Sequence, residues 1–172
     1  MKKTVFNICV TALFAAIIAV ATFIHIPAPM TNGGYLHLGD TFVYLAACFL
    51  PLPYSLFAGA IGGGLADGLS GAVMWIAPTV VIKALMAISF SSKSKRIITK
   101  RNLLALIPGA ALTVGGYYLA EVLIYNCGWA VPLASVPFNV IQSAGGAALF
   151  VVIGLALDKI DIKKLTSSNR YI

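Results

Sequence analysis

The sequence predicts an all-α integral membrane protein with six transmembrane helices and both termini in the cytoplasm. Three observations carry that reading: the scarcity of charge, the long apolar runs, and the placement of the basic residues. Of 172 residues, 60% are hydrophobic and only 10% charged, and the mean hydropathy is +0.95. A water-soluble domain carries about 25% charged residues to keep its surface wet. Lipid must therefore cover most of this surface, where only helices and closed barrels satisfy their own backbone groups. A barrel would alternate polar and apolar residues along strands of roughly ten residues. Residues 10–24 and 141–157 are instead nearly unbroken apolar runs.

A bilayer core of about 30 Å takes about 20 helical residues, fewer where protein shelters a segment. The first span covers residues 4–24 and stops at Pro27 and Pro29. Lys2 and Lys3, followed by an apolar run to Ala19-Val20-Ala21, imitate a secretory signal peptide. Several hydrophobic segments follow, so this one is retained as a span. A polar loop then holds Gly33, Gly34, Tyr35 and His37, with the glycines as hinge points. The second span, 40–50, is short and ends at Pro51 and Pro53, so it is expected to tilt or to be sheltered. The third, 54–69, contains Gly62-Gly63-Gly64, and a Ser70-Gly71 turn leads to the fourth, 73–90. A basic connection precedes the fifth, 103–125. A loop with Pro132 and Pro137 introduces the sixth, 136–157. Together they make a single membrane domain over residues 1–172.

The charges test this map independently. Of 12 Lys and Arg, Lys2 and Lys3 precede the first span. Lys93, Lys95, Arg96, Lys100 and Arg101 lie between the fourth and fifth, and Lys159, Lys163, Lys164 and Arg170 follow the sixth. Only Lys83 falls inside a span. The loops after the first, third and fifth spans hold no Lys or Arg, which places them outside by the positive-inside rule. The net charge of +7 is thus read as topology rather than as an affinity for nucleic acid. Cys9, Cys48 and Cys127 have no metal-binding or CxxC spacing. Neither a cofactor nor a metal is expected.

Asp40, Asp67, Lys83 and Glu121 are ionisable residues within or at the edge of apolar spans. Each costs about 3 kcal/mol at the bilayer centre unless paired or facing a wet cavity. Asp67 and Glu121 lie near the outer ends of their spans. Trp75, Thr79 and Lys83 form one stripe on the fourth helix, at i, i+4 and i+8. Tyr117 and Glu121 do likewise on the fifth, and Asn139, Gln142 and Ser143 cluster on the sixth. These groups converge just beneath the outer surface, with Tyr35 and His37 in the loop above. An aromatic wall with a few fixed polar groups suits a small polar ring compound. Structural roles compete with that reading. Asp67 and Lys83 are expected to form an ion pair. Glu121, Asn139 and Gln142 are also able to join helices, and Trp75 and Tyr35 to sit in an interfacial belt. Small-xxx-small spacings at Ala12/Ala16, Ala15/Ala19 and Gly59/Gly63 permit close helix approach.

The string Gly33-Gly-Tyr-Leu-His-Leu-Gly-Asp40, with Gly62-Gly-Gly-Leu-Ala-Asp67 and Ala77-Pro-Thr-Val-Val-Ile-Lys83, resembles S components of energy-coupling factor (ECF) transporters. The resemblance is to the riboflavin-type branch and covers nearly the whole chain. It implies a subunit that binds a small water-soluble vitamin or precursor near the outer face of a bacterial plasma membrane. Such a subunit joins a membrane scaffold (T) subunit and two cytoplasmic ATPases. The branch takes flavins as well as single rings such as pyridoxine or hydroxymethylpyrimidine, and the polar set here points to the smaller rings. The resemblance also implies that an Ala-xxx-Ala pair on the first helix meets the scaffold, with Ala12/Ala16 favoured over Ala15/Ala19. No Gly-x-x-x-x-Gly-Lys-Ser/Thr loop is present, so energy is expected from another chain. An independent proton-coupled carrier using Asp67, Lys83 and Glu121 is the competing expectation, but such carriers show paired repeats that this sequence lacks. An intramembrane enzyme lacks the side chains it would need.

Overall fold

The computed structural model of the chain describes residues 2–28 and 34–164. Gly33 and Arg170 lie outside the described residues. The helices are α1 (Lys2–Phe23), α2 (Gly39–Phe49), α3 (Leu52–Leu69), α4 (Ile76–Ile88), α5 (Lys100–Leu104), α6 (Leu106–Tyr125) and α7 (Val136–Lys159). Short 3-10 turns, Val73–Trp75 and Val131–Ser135, lead into α4 and α7. Between α1 and α2 the polar loop forms an antiparallel hairpin, β1 (His25–Pro27) and β2 (Tyr35–His37), with His25 opposite His37.

Local chemistry sets the breaks. Pro51 caps α3 and Pro53 sits in its first turn, where a missing N–H costs no helical bond. Thr99 accepts the Asn102 N–H at 3.2 Å and starts α5, which continues through Ala105 almost directly into α6. Asn126 ends α6 in the left-handed region at φ 46°, a conformation asparagine tolerates better than most residues.

Three helical stretches are long and apolar enough to cross a membrane: Lys3–Phe23, Lys100–Ile124 and Val131–Lys159. The stretches Gly39–Phe49 and Val73–Ile88 are apolar but shorter. An eleven-residue helix such as α2 is about 16 Å long, roughly half the hydrocarbon thickness. It survives because protein surrounds it: Gly39, Asp40, Thr41 and every residue from Val43 to Cys48 are buried.

Helix α3 lies between α1 and α4. A Cβ on Gly62 would come within 2.7 Å of the Ala15 carbonyl oxygen, and one on Gly59 within 2.9 Å of the Lys83 carbonyl oxygen. The glycines of α3 thus let two backbones approach it on different sides. That contact also separates the two alanine pairs of α1. Ala15 and Ala19 are buried, whereas Ala12 and Ala16 are exposed on the outer face.

One end of the bundle collects the basic residues. The Lys163 ammonium donates to the carbonyls of Cys48 (2.8 Å) and Ser92 (2.9 Å). The Asp158 carboxylate accepts the N–H groups of Ile97 (2.7 Å) and Ile98 (2.9 Å). These bonds gather the end of α2, the basic connection and the end of α7. Helix α1 begins at the same end, since it runs antiparallel to α2: Phe14 packs on Phe49, at the C-terminus of α2, with ring centroids 5.7 Å apart, and Thr22 lies against Gly39, at its N-terminus.

Candidate functional site

A cavity of about 420 Å³ lies at the opposite end. Five parts of the chain line it. The hairpin contributes His25, Tyr35 and His37, and the end of α3 with its following turn contributes Asp67 and Ser70. Trp75 ends the 3-10 turn before α4, Thr79 comes from the first turn of α4, Tyr117 from α6, and Asn139 and Gln142 from the first turns of α7. The breaks described above create this geometry. Gly71, at φ 75°, reverses the chain between α3 and the 3-10 turn, so Asp67 and Trp75 both face the same space.

Trp75 and Tyr117 form a tilted aromatic pair with centroids 6.1 Å apart, and the hydroxyls of Thr79 and Tyr117 are hydrogen-bonded at 3.1 Å. The hairpin covers this wall. Its Tyr35 stacks on His25 with centroids 4.0 Å apart, and the Tyr35 hydroxyl donates to Asp67 Oδ1 at 2.8 Å. Burial, and then the Asp67 carboxylate, raise the Tyr35 pKa, so the phenol keeps its proton and remains a donor.

His37 ties the hairpin to the helices. Its backbone N–H donates to Gln142 Oε1 at 3.3 Å, and its ring Nδ1 accepts the Gly39 N–H at 3.1 Å. Burial, followed by the Lys83 charge, lowers its pKa to about 3. The ring is therefore neutral, and the acceptor role of Nδ1 puts its proton on Nε2.

The expected Asp67–Lys83 pair is not formed. Lys83 is fully buried and pairs with Asp40, also fully buried, on the first turn of α2. Gln142 Nε2 contacts the other Asp40 oxygen at 3.5 Å, and the Lys83 ammonium lies 5.5 Å from the Tyr117 ring centroid. Asp67 instead belongs to Tyr35. Both acids had suitable depth, but spacing along the chain could not tell which one faced Lys83.

Of the other expected residues, Tyr35, His37, Trp75, Thr79, Tyr117, Asn139 and Gln142 line one cavity. Lys83 lies beside it, against Tyr117 and Asp40. Glu121 does not line it. This carboxylate is buried and accepts a hydrogen bond from Ser135 Oγ at 3.3 Å, joining α6 to the turn before α7. Sequence reasoning missed His25 and Ser70. A three-residue strand containing proline has no period-two pattern to betray it, and a serine in a tight turn reads as turn chemistry. Among the described residues, no group of three or more His, Cys, Asp or Glu could hold a metal ion.

Comparison with known proteins places this arrangement. A solved structure described as "Structure and mechanism of the S component of a bacterial ECF transporter" superposes with a TM-score of 0.74. The match covers 91% of this chain and 98% of that one at 18% identity, and it shows a shared fold. A protein of Pyrococcus woesei, named "Uncharacterized protein in gap 3'region", is 30% identical over 145 residues, covering 84% of this chain and 95% of its own length. The family described as "ECF-type riboflavin transporter, S component" matches residues 2–159. The chain belongs to this family of ECF transporter S components, membrane-embedded substrate-binding subunits rather than enzymes.

Proposed function

We propose that the chain captures a small, single-ring vitamin or precursor of the pyridoxine or hydroxymethylpyrimidine kind at the outer face of the cell membrane. The carrying observation is the cavity. Its volume of about 420 Å³ falls near the lower end of the 300–1,000 Å³ that ligand pockets span. Its lining combines one aromatic wall, Trp75 and Tyr117, with hydroxyl and amide groups from Thr79, Asn139 and Gln142. That set holds one flat ring by stacking and orients its hydroxyl groups by hydrogen bonds. The family's description names riboflavin, which is therefore the competing ligand.

In this reading the chain crosses the membrane six times, with α1, α2, α3, α4, α6 and α7 as the spans. Both termini are cytoplasmic, because the basic end faces inward and the cavity outward. The scaffold subunit docks on α1 through Ala12 and Ala16, whose exposure leaves them available. Ala15 and Ala19 are occupied by packing within the chain. Two ATPase subunits supply the energy through that scaffold.

The test is calorimetric titration of the purified full chain in lipid nanodiscs with pyridoxine, hydroxymethylpyrimidine and riboflavin. Binding of a single-ring compound, with loss of at least tenfold in affinity on Asn139→Ala, is the expected result. Saturable binding of riboflavin alone overturns the assignment. Co-purification with scaffold and ATPase subunits, lost on Ala12→Trp, tests the docking face separately.

A further inference from the structure

Because Lys83 pairs with Asp40, Asp67 is left without the cation expected for it. Asp67 is 4% exposed, and its Oδ1 is satisfied by Tyr35. Its Oδ2 is buried and has no hydrogen bond of good geometry among the described residues, although the Thr79 hydroxyl approaches the carboxylate. Leaving a buried acceptor unsatisfied costs about 1–3 kcal/mol, and more when the group is charged. One further lining residue has the same feature: among the described residues His25 Nδ1 is buried without a hydrogen-bond partner. Two unmet polar atoms therefore belong to residues that line one cavity. Asp67 is its single carboxylate, and no Lys or Arg is among the lining residues described. The nearby Lys83 is held by Asp40. The aromatic rings of Trp75 and Tyr117 in the same lining also favour a cation over an anion.

We propose that Asp67 is a specificity-determining residue that receives a protonated ring nitrogen, or an amino group, of a nitrogen heterocycle. This deepens the single-ring reading of the same site and rests on it. A substrate N–H satisfies Oδ2, while Tyr35 continues to hold Oδ1. The same carboxylate repels an anion, so a phosphate ester of the same ring is excluded. Trp75 and Tyr117 stack the ring, and Asp67 selects its nitrogen.

The experiment varies ligand and protein together, using the full chain in nanodiscs. The ligands are pyridoxine, its phosphate ester, and the benzene analogue with the same substituents but C–H in place of the ring nitrogen. Wild-type protein should bind pyridoxine at least tenfold more tightly than the benzene analogue or the phosphate ester. Asp67→Asn should erase the preference over the benzene analogue while leaving that analogue's affinity unchanged. Tyr35→Phe, which removes the hydroxyl that donates to Asp67 Oδ1, should preserve or widen the preference. It gives a second reading if Asp67→Asn does not fold. Equal binding of pyridoxine and the benzene analogue by wild-type protein overturns the proposal and leaves the single-ring reading intact. So does an undiminished preference in Asp67→Asn, or a preference lost in Tyr35→Phe. Binding of riboflavin alone removes the single-ring reading and this inference with it.

Discussion

The buried pair of Lys83 and Asp40 should behave as a unit, and its removal should be felt through the whole upper half of the bundle. Both side chains have no solvent exposure. Lys83→Met keeps the length and apolar stem of the side chain but strands the Asp40 carboxylate. Asp40→Asn keeps the shape but strands the Lys83 ammonium. Breaking a buried pair from one side costs about 3–5 kcal/mol, because the remaining charge stays desolvated. For a chain of this length each kcal/mol moves the melting temperature by about 2–4 °C, so either single variant should melt about 6–20 °C lower. The double variant leaves no charge to strand. It should recover about 2–3 kcal/mol relative to the sum of the singles. Tryptophan fluorescence melts of the four proteins in one detergent measure this cycle. Additive losses would refute the pairing. Combining Asp67→Asn with Lys83→Met provides the control. A rescue as large as that from Asp40→Asn would show that the wrong acid has been assigned to Lys83.

Three further outcomes are expected. Gly62→Ala should cost about 1–3 kcal/mol in a thermal melt by forcing α1 away from α3, whereas Gly115→Ala, whose Cβ would meet nothing within 4 Å, should cost none of this. His37 should make stability fall in acid. Its folded pKa, about 3, lies below the ordinary value of 6.5, so the unfolded state binds the extra proton between these limits. The contribution is complete above about pH 6.5, and about 2 kcal/mol is lost by pH 5; melts of His37→Asn over this range should show a shallower slope. Trp75→Ala should weaken ring binding at least tenfold in titrations, with little change in melting temperature, because Trp75 is only partly buried.

The sequence located the helical elements well, for a physical reason. Chain reversals need proline, glycine or polar residues, and these stand at Pro51, Ser70-Gly71 and Pro132. The basic residues then order the reversals, and bonds such as Lys163 to Ser92 and Asp158 to Ile97 show separate basic segments meeting at one end. The short α2 was legible as an element, and the structure adds why it tolerates its length: neighbouring helices bury it. The hairpin was not legible. Its two strands have three residues each, one containing proline, so neither alternation nor propensity had room to act.

What sequence could not supply was rotation about each helix axis, and the misassigned ion pair follows from that. In water, hydrophobic pattern reveals which face of a helix turns inward. In lipid both faces are apolar, so Leu104, Leu123 and Val152 on the outside look like Leu45, Ile82 and Phe150 inside. Only polar or very small residues break the tie. Gly62 does so for α3, and its contact with Ala15 fixes α1, sorting two alanine pairs that share one spacing into a packed face and an exposed face. Lys83 should have done the same for α4, but a lone cation names no partner when two acids lie at accessible depths. The structure resolves the choice by turning α2 so that Asp40 meets Lys83 and α3 so that Asp67 meets Tyr35. The acid that chain spacing assigned to Lys83 is consequently the one whose second oxygen lacks a hydrogen bond of good geometry among the described residues, and the proposed selection of a ring nitrogen rests on that oxygen.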